Sequence, residues 1–324
     1  MTAATAREAI PSGNGTAGAA ATPALVFDNV SHWYGPVVAV NDVSCSVGAG
    51  ITGLLGPNGA GKSTLLTLAA GLAPPSSGSV SVFGAAPSRG PRVYRDVALV
   101  PERESLPPTL SARSFVETRA AMLGIRDPKQ AAQRALEIVE MDTVASRKIG
   151  GFSKGMKQRT KLAAALVHEP RLVLLDEPFN GLDPRQRLQM MRLLESRAAA
   201  GTTVLLSSHI LEEIQGVASR ILVMLAGRLA ASGDYRTLRR LMTNRPHTVR
   251  VRTSDDRVLA AALLALPAVI GVEVTSTGLM IRTVEYTALA RSLSHVARAQ
   301  SVTVFEVQAT DESLEHVFAY LVAR

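Results

Sequence analysis

Nine consecutive residues, Gly56, Pro57, Asn58, Gly59, Ala60, Gly61, Lys62, Ser63 and Thr64, constrain this chain more than any other stretch. They fit G-x-x-x-x-G-K-[ST], with the short apolar run "ITGLLG" leading in and a helical pattern following. A loop of this composition can curl so that successive backbone N–H groups point at phosphate oxygens, and the helix N-terminus adds its own positive end. Lys62 is placed to reach the β- and γ-phosphates of a nucleotide, and Ser63 to ligate Mg²⁺. A glycine-rich turn matching by chance would lack the strand before it and the helix after it.

A triphosphate with its metal needs a carboxylate at the end of a neighbouring strand and a base to orient water. The run "LVLLDEP" at 172–178 supplies both, Asp176 for the metal and Glu177 as candidate base. Alone, an Asp-Glu pair after an apolar run is more often a helix cap or a solvated turn; the phosphate loop shifts that balance.

Elsewhere β-branched runs alternate with helical patterns, as an α/β fold requires. "ALVFDNVSHWY" and "VVAVNDVSCSV" read as antiparallel strands at one edge. "RLVLLDEP" and "TTVLLSSH" are continuous apolar runs, the signature of parallel strands covered on both faces. Two helices open on an aspartate followed by proline, Asp127 with Pro128 and Asp183 with Pro184, and the second closes at Gly201. Beyond about residue 244 the order becomes β-α-β-β-α-β with a turn at Thr277 and Gly278. A last helix over 311–322 carries Leu314, Val317, Phe318, Leu321 and Val322 on one stripe. The expected organisation is a disordered tail over 1–23, a nucleotide-binding domain over 24–244 with a helical part at about 103–168, and an accessory domain over 245–324.

A formal charge of +8 in 324 residues suits a polyanionic partner, whether nucleic acid, nucleotide or an anionic membrane surface. Cys45 is the only cysteine, which rules out a disulfide framework and reads as a small core residue. The first 23 residues hold no apolar run long enough for a signal peptide. The most apolar stretch, 258–272, is broken by Pro267 and falls short of the roughly 18 to 20 residues that span a bilayer, so it reads as a buried helix followed by a strand.

These motifs, in this order, resemble the nucleotide-binding subunit of an ATP-binding cassette (ABC) transporter over residues 25–233. The resemblance rests on Tyr34, the loop at 56–64, "VPE" at 100–102, "FSKGMKQR" at 152–159, "LVLLDEP" at 172–178, "NGLDP" at 180–184 and "SSHIL" at 207–211. It implies a P-loop NTPase fold, a mixed sheet core with an antiparallel β subdomain and a helical subdomain. It implies ATP hydrolysis, with ATP and Mg²⁺ bound. Tyr34 would stack on adenine, with neighbouring Trp33 or a core role as alternatives. His209 would contact the γ-phosphate and hold the water activated by Glu177, and Asp183 would mark the D-loop. His32, His168, His247, His295 and His316 match no motif.

Two positions depart from the family pattern. Glu102 stands where glutamine is usual; its oxygen can still reach Mg²⁺ or water, but its charge is new. The signature, normally L-S-G-G-Q, reads Phe152, Ser153, Lys154, Gly155, Met156, so the hydroxyl and close-approach glycine that meet a partner subunit's ATP are kept and a lysine is added between them. Cations at a helix N-terminus are disfavoured unless an anion is present. Lys154 is expected to offset Glu102 when two subunits close, whereas Lys157, Arg159 and Lys161 read as a solvated face.

The resemblance also implies partners. In this family the signature of one subunit covers the nucleotide of another, so the chain would pair with a second copy or a related ATPase. It would power an integral-membrane permease docked near residues 103–119, from the cytoplasmic face of the cell membrane, with no nucleic acid expected. The signature and the C-terminal "ATDESLEHVFAYLV" resemble the ATPases of drug, antibiotic, lipid or polysaccharide exporters. Two alternatives stand beside this: a soluble cassette acting on ribosomes or nucleic acid, and a C-terminal module that senses a ligand and inhibits the ATPase. A plain P-loop kinase or GTPase would need neither the signature nor "SSHIL".

Overall fold

The structure, a computed structural model, describes residues 22–87, 93–103, 106–234 and 247–309. In chain order these begin with β1 (Leu25–Tyr34), β2 (Val37–Val47), β3 (Ile51–Leu55), α1 (Lys62–Ala69), β4 (Ser77–Val82), α2 (Val93–Asp96) and β5 (Val97–Val100). A helical stretch follows, α3 (Ala112–Met122), α4 (Pro128–Ile138) and α5 (Lys154–Leu166), then β6 (Leu172–Asp176), α6 (Pro184–Ala199), β7 (Thr203–Ser208), α7 (Leu211–Gln215), β8 (Arg220–Leu225) and β9 (Arg228–Gly233). The remainder is β10 (His247–Thr253), α8 (Asp256–Leu263), β11 (Val269–Thr275), β12 (Gly278–Thr283), α9 (Tyr286–Ala299) and β13 (Val304–Ala309).

The apolar runs become the centre of a six-stranded sheet ordered β5-β6-β7-β3-β8-β9, parallel except where β9 returns antiparallel to β8. β6 shows why its sequence is uninterrupted: Val173 and Leu175 pack with α3 to α6 on one face, Leu172 and Leu174 with α1 on the other. β1 and β2 are antiparallel as expected, yet they do not edge this sheet. They form a separate three-stranded sheet with β4, order β2-β1-β4, whose Phe27, Val30 and Val40 share a core with Leu65, Leu66 and Leu68 of α1.

Register brings the motif-bearing strand ends together. Leu55 of β3 pairs with Ser208 of β7, and Asp176 of β6 with Ser207. The phosphate loop, the Asp-Glu pair and His209 therefore all leave the sheet at its C-terminal edge, where open α/β sheets place ligands.

The helix-opening aspartates act as caps. Asp127 accepts from the backbone N–H of Gln130 at 3.0 Å. Asp183 and Gln186 form a reciprocal capping box at the start of α6. Residues 247–309 form a four-stranded antiparallel sheet, order β11-β12-β10-β13, with α8 and α9 closing a core of Val249, Val251, Leu259, Leu263, Leu289 and Leu293. The apolar 258–272 stretch thus divides into most of α8 and the start of β11, and among the described residues no helix is long and apolar enough to cross a membrane. The tail up to residue 21, the boundary near 244 and the helix expected over 311–322 lie outside the described residues.

Candidate nucleotide site

The phosphate loop is held open by backbone approach. Gly61 has φ +96°, and a Cβ there would meet the Ala39 carbonyl oxygen of β2 at 2.3 Å. A Cβ on Gly56 would meet the Met224 carbonyl oxygen of β8 at 2.4 Å. Neither position admits a side chain without moving main chain, which is the local reason for glycine. Asn58 and Gly59 are exposed at the tip, Ala60 is buried, and its carbonyl accepts from Gly227 N–H at 3.2 Å.

Lys62, 6% exposed, closes the loop from below: its ammonium donates to the carbonyls of Gly56 at 2.8 Å and Pro57 at 3.3 Å. It also lies 3.3 Å from Oε1 of Glu177, an ion pair without the alignment of a hydrogen bond. The second oxygen of Glu177, Oε2, is 2.9 Å from Nδ1 of His209. An ionised carboxylate only accepts, so Nδ1 carries the proton in this pairing. Lys62, Glu177 and His209, from three separate elements, thus converge on one buried carboxylate. Glu177 adopts φ +49°, a left-handed conformation rare outside glycine and typical of functional sites.

Ser207 organises the neighbouring carboxylates, Asp176 and Glu177. Its hydroxyl donates to Oδ1 of Asp176 at 2.6 Å and accepts from Glu177 N–H at 3.0 Å, locking the two carboxylate residues in sequence. Ser63 presents an exposed hydroxyl in the first turn of α1, with Thr64 half-buried after it. Hydroxyl and carboxylate oxygens of this kind are the hard donors that Mg²⁺ takes alongside phosphate.

The remaining expected residues stand apart from this convergence. Tyr34 ends β1, 54% exposed, edge-on to His32 with ring centroids 4.7 Å apart; Trp33 is also exposed, so neither ring serves the core. The Glu102 carboxylate accepts from the Asn180 amide at 3.2 Å, and the N–H of Asn180 donates to the Glu177 carbonyl at 3.1 Å. Ser153 caps α5 by accepting from Met156 N–H at 3.2 Å. Lys154 lies along Gly181, its Cδ 3.1 Å from where a Cβ would be, and the Gln186 amide fills the corresponding space at Gly155. Asp183 is bound to Gln186 by the capping box.

Two of the cations expected on a solvated face are engaged. Lys161 is 7% exposed and donates to the carbonyls of Pro101 and Glu102, both at 3.1 Å. Arg159 pairs with Glu140 at 3.2 Å and donates to Gln189 and to the Val139 carbonyl. Helical periodicity places both on α5, but α5 is wrapped by the 100–103 segment and by α4 and α6, so the polar stripe faces protein.

Comparison with known proteins gives the family. Residues 40–180 match the family model described as ABC transporter. Over 211 residues the chain is 39% identical to Nod factor export ATP-binding protein I of Burkholderia orbicola (strain AU 1054), covering 64% of this chain and 69% of that protein. It belongs to the ABC transporter ATP-binding subunits. The ABC subunit is also 30% identical over 306 residues to linearmycin resistance ATP-binding protein LnrL of Bacillus subtilis (strain 168), covering 93% and 98% of the two chains. Among solved structures it is similar to an "ATP binding subunit of ABC transporter" with a TM-score of 0.61 and 30% identity, over 67% of this chain and 92% of that one. The cassette binds ATP and is an ATPase, as its family is.

The sequence motifs did not mark Ser207 as a clamp, Glu213, Arg187 or Lys161. A doubled serine before His209 and a glutamate four residues after it are the only signals present, and both look like ordinary turn and helix chemistry.

Proposed function

We propose that this chain is one half of a dimeric ATP-driven engine that powers export through a membrane-embedded permease. The observation that carries the reading is the meeting of Lys62 and His209 on the two oxygens of Glu177 at 3.3 and 2.9 Å. A basic residue that reads phosphate and a histidine are already arranged around the carboxylate best placed to activate water.

In this reading phosphate oxygens take the place of the Gly56 and Pro57 carbonyls as acceptors for Lys62, while the loop 56–64 cradles the chain of phosphates and Tyr34 offers its exposed face to the base. Glu177 then orients water and receives its proton, and His209 fixes the water's geometry. Ser63, Asp176 and Glu102 would hold Mg²⁺, which would neutralise phosphate charge as the γ-phosphate leaves. Ser153, Lys154 and Gly155 form the lid over the nucleotide of the second subunit, beside Asp183. A chain with one phosphate loop and one signature is complete only as a pair.

The names of the two relatives, one an export protein and one a resistance protein, support an exporter of a drug, lipid or polysaccharide over a soluble cassette acting on ribosomes or nucleic acid. The chain would then work at the cytoplasmic face of the membrane, held there by its permease. The test is Glu177→Gln, which keeps size and removes the base. The variant is expected to bind ATP, to hydrolyse it at least about a hundredfold more slowly, and to accumulate as an ATP-bound dimer on size-exclusion chromatography with light scattering. Normal turnover would show that another group activates the water.

A further inference from the structure

A carboxylate that no step above uses lies directly behind His209. Glu213, on α7, is 1% exposed. Its Oε2 accepts from the Ser208 hydroxyl at 2.6 Å, and its Oε1 lies 3.3 Å from Nε of Arg187 on α6. The Ser208 hydroxyl also accepts from Ile210 N–H at 3.0 Å, so one oxygen spans His209 from the residue before to the residue after. The Ser208 carbonyl in turn accepts from Gly56 N–H at the mouth of the phosphate loop, at 3.4 Å.

These contacts have a direction. An ionised carboxylate only accepts, so the Ser208 proton must point at Glu213, which leaves the hydroxyl's lone pairs for Ile210. That choice fixes the turn from which His209 reaches Glu177. Arg187 supplies the opposing charge from the first turn of α6, where its own N–H donates to the Asp183 carbonyl at 2.9 Å. Burial pushes the Glu213 carboxyl above its ordinary value, while Ser208 and Arg187 pull it back and Glu177 and His209 act on it at longer range. A carboxylate that served packing alone would be better replaced by an apolar side chain, because removing charge from water costs more than a partly exposed ion pair returns.

We infer that Glu213 is a positioning residue for His209: through Ser208 it sets the turn that aims the imidazole at Glu177, and through Arg187 it ties that turn to the first turn of α6, next to Asp183. The inference rests on the role given to His209 above. Because a misplacement of about 1 Å in a catalytic constellation costs on the order of a hundredfold, loosening this turn should act on turnover and spare nucleotide binding.

The experiment compares full-length Glu213→Ala, Glu213→Gln, Ser208→Ala, the Ser208→Ala/Glu213→Ala pair and His209→Ala, measuring kcat, the Kd of a fluorescent ATP analogue and the melting temperature. Glu213→Ala and Ser208→Ala are each expected to lower kcat about tenfold or more with Kd unchanged, and the pair to be no worse than the weaker single variant. Glu213→Gln, whose amide oxygen still accepts from Ser208, should recover part of the lost turnover. Unchanged kcat in Glu213→Ala beside an inactive His209→Ala would overturn this inference and leave His209 its role. So would multiplicative losses in the pair, no recovery by Glu213→Gln, or a loss of ATP affinity matching the loss of kcat. Wild-type turnover in His209→Ala would instead remove the role of His209, and the inference with it. Should Glu213→Ala fail to fold, Ser208→Ala and Glu213→Gln decide alone.

Discussion

Cys45 sits half-buried on β2, where burial pushes its thiol from 9.0 to about 12 while the charge of Arg220 pulls the other way. The thiolate is the reactive form, so the folded protein should resist iodoacetamide at pH 8 and react once unfolded; rapid labelling of the native chain would contradict the burial. The linkage has a definite sign. A thiol whose folded value is raised holds its proton when the unfolded chain has lost it, so its contribution to stability falls as pH rises above about 9. Cys45→Ala should lose less melting temperature than wild type between pH 8 and pH 10. Lys154 and Glu102 invite a different single-residue test. We hypothesise that they compensate across the closed dimer: the family pattern has a neutral residue at each position, and in the proposed function both approach the same phosphate. Glu102→Gln and Lys154→Gly, made singly and together, should show coupling in ATPase rate, and strictly additive effects would sink the idea.

At the scale of elements, α5 carries two demands on one serine. The Ser153 hydroxyl satisfies the Met156 N–H of its own helix, and the proposed function sends the same end of the helix to a partner's phosphate. The two separate by substitution. Ser153→Ala should cost about 1 kcal/mol in urea unfolding through the lost cap. Ser153→Asp should keep the cap yet abolish ATP-driven dimerisation, because it brings a carboxylate to an anion. The strands and caps were largely legible in the sequence because their causes are local: unbroken apolar runs on β6 and β7, Asp followed by Pro at α4 and α6, glycines in the phosphate loop. What stayed hidden depends on partners far apart in the chain. Lys161 looks like any lysine on a helix until the 100–103 segment folds over it, and Glu213 looks like a surface glutamate until α6 brings Arg187 to it. The exile of β1 and β2 from the main sheet is of the same kind, since the pairing of β1 with β4 spans some fifty residues.

At the scale of the whole molecule, the three apolar cores formed by the described residues fall into two groups. The two that flank the six-stranded sheet share that sheet, whereas the core formed within 247–309 draws, among the described residues, on none of either. Removing 245–324 is therefore expected to leave ATP affinity unchanged, measured by nucleotide fluorescence, and to weaken the ATP-driven dimer, measured by light scattering. An intact dimer with a raised ATPase rate would instead make this unit an inhibitor. The formal charge of +8 acquires a more specific reading from the site, because part of it is spent internally, on Lys62 under the phosphate loop, Lys161 under residues 101 and 102, and Arg187 on Glu213.

The grip of Lys161 on the carbonyls of Pro101 and Glu102 has an evolutionary reading. An ammonium that holds main chain is indifferent to which side chain that main chain bears. The residue at 102 can exchange amide for acid, altering the charge the segment carries, while the anchor beneath it stays as it was. Variation at the tip of the loop and constancy at its base are then separable, and a lineage can retune the chemistry at this position without first rebuilding its support.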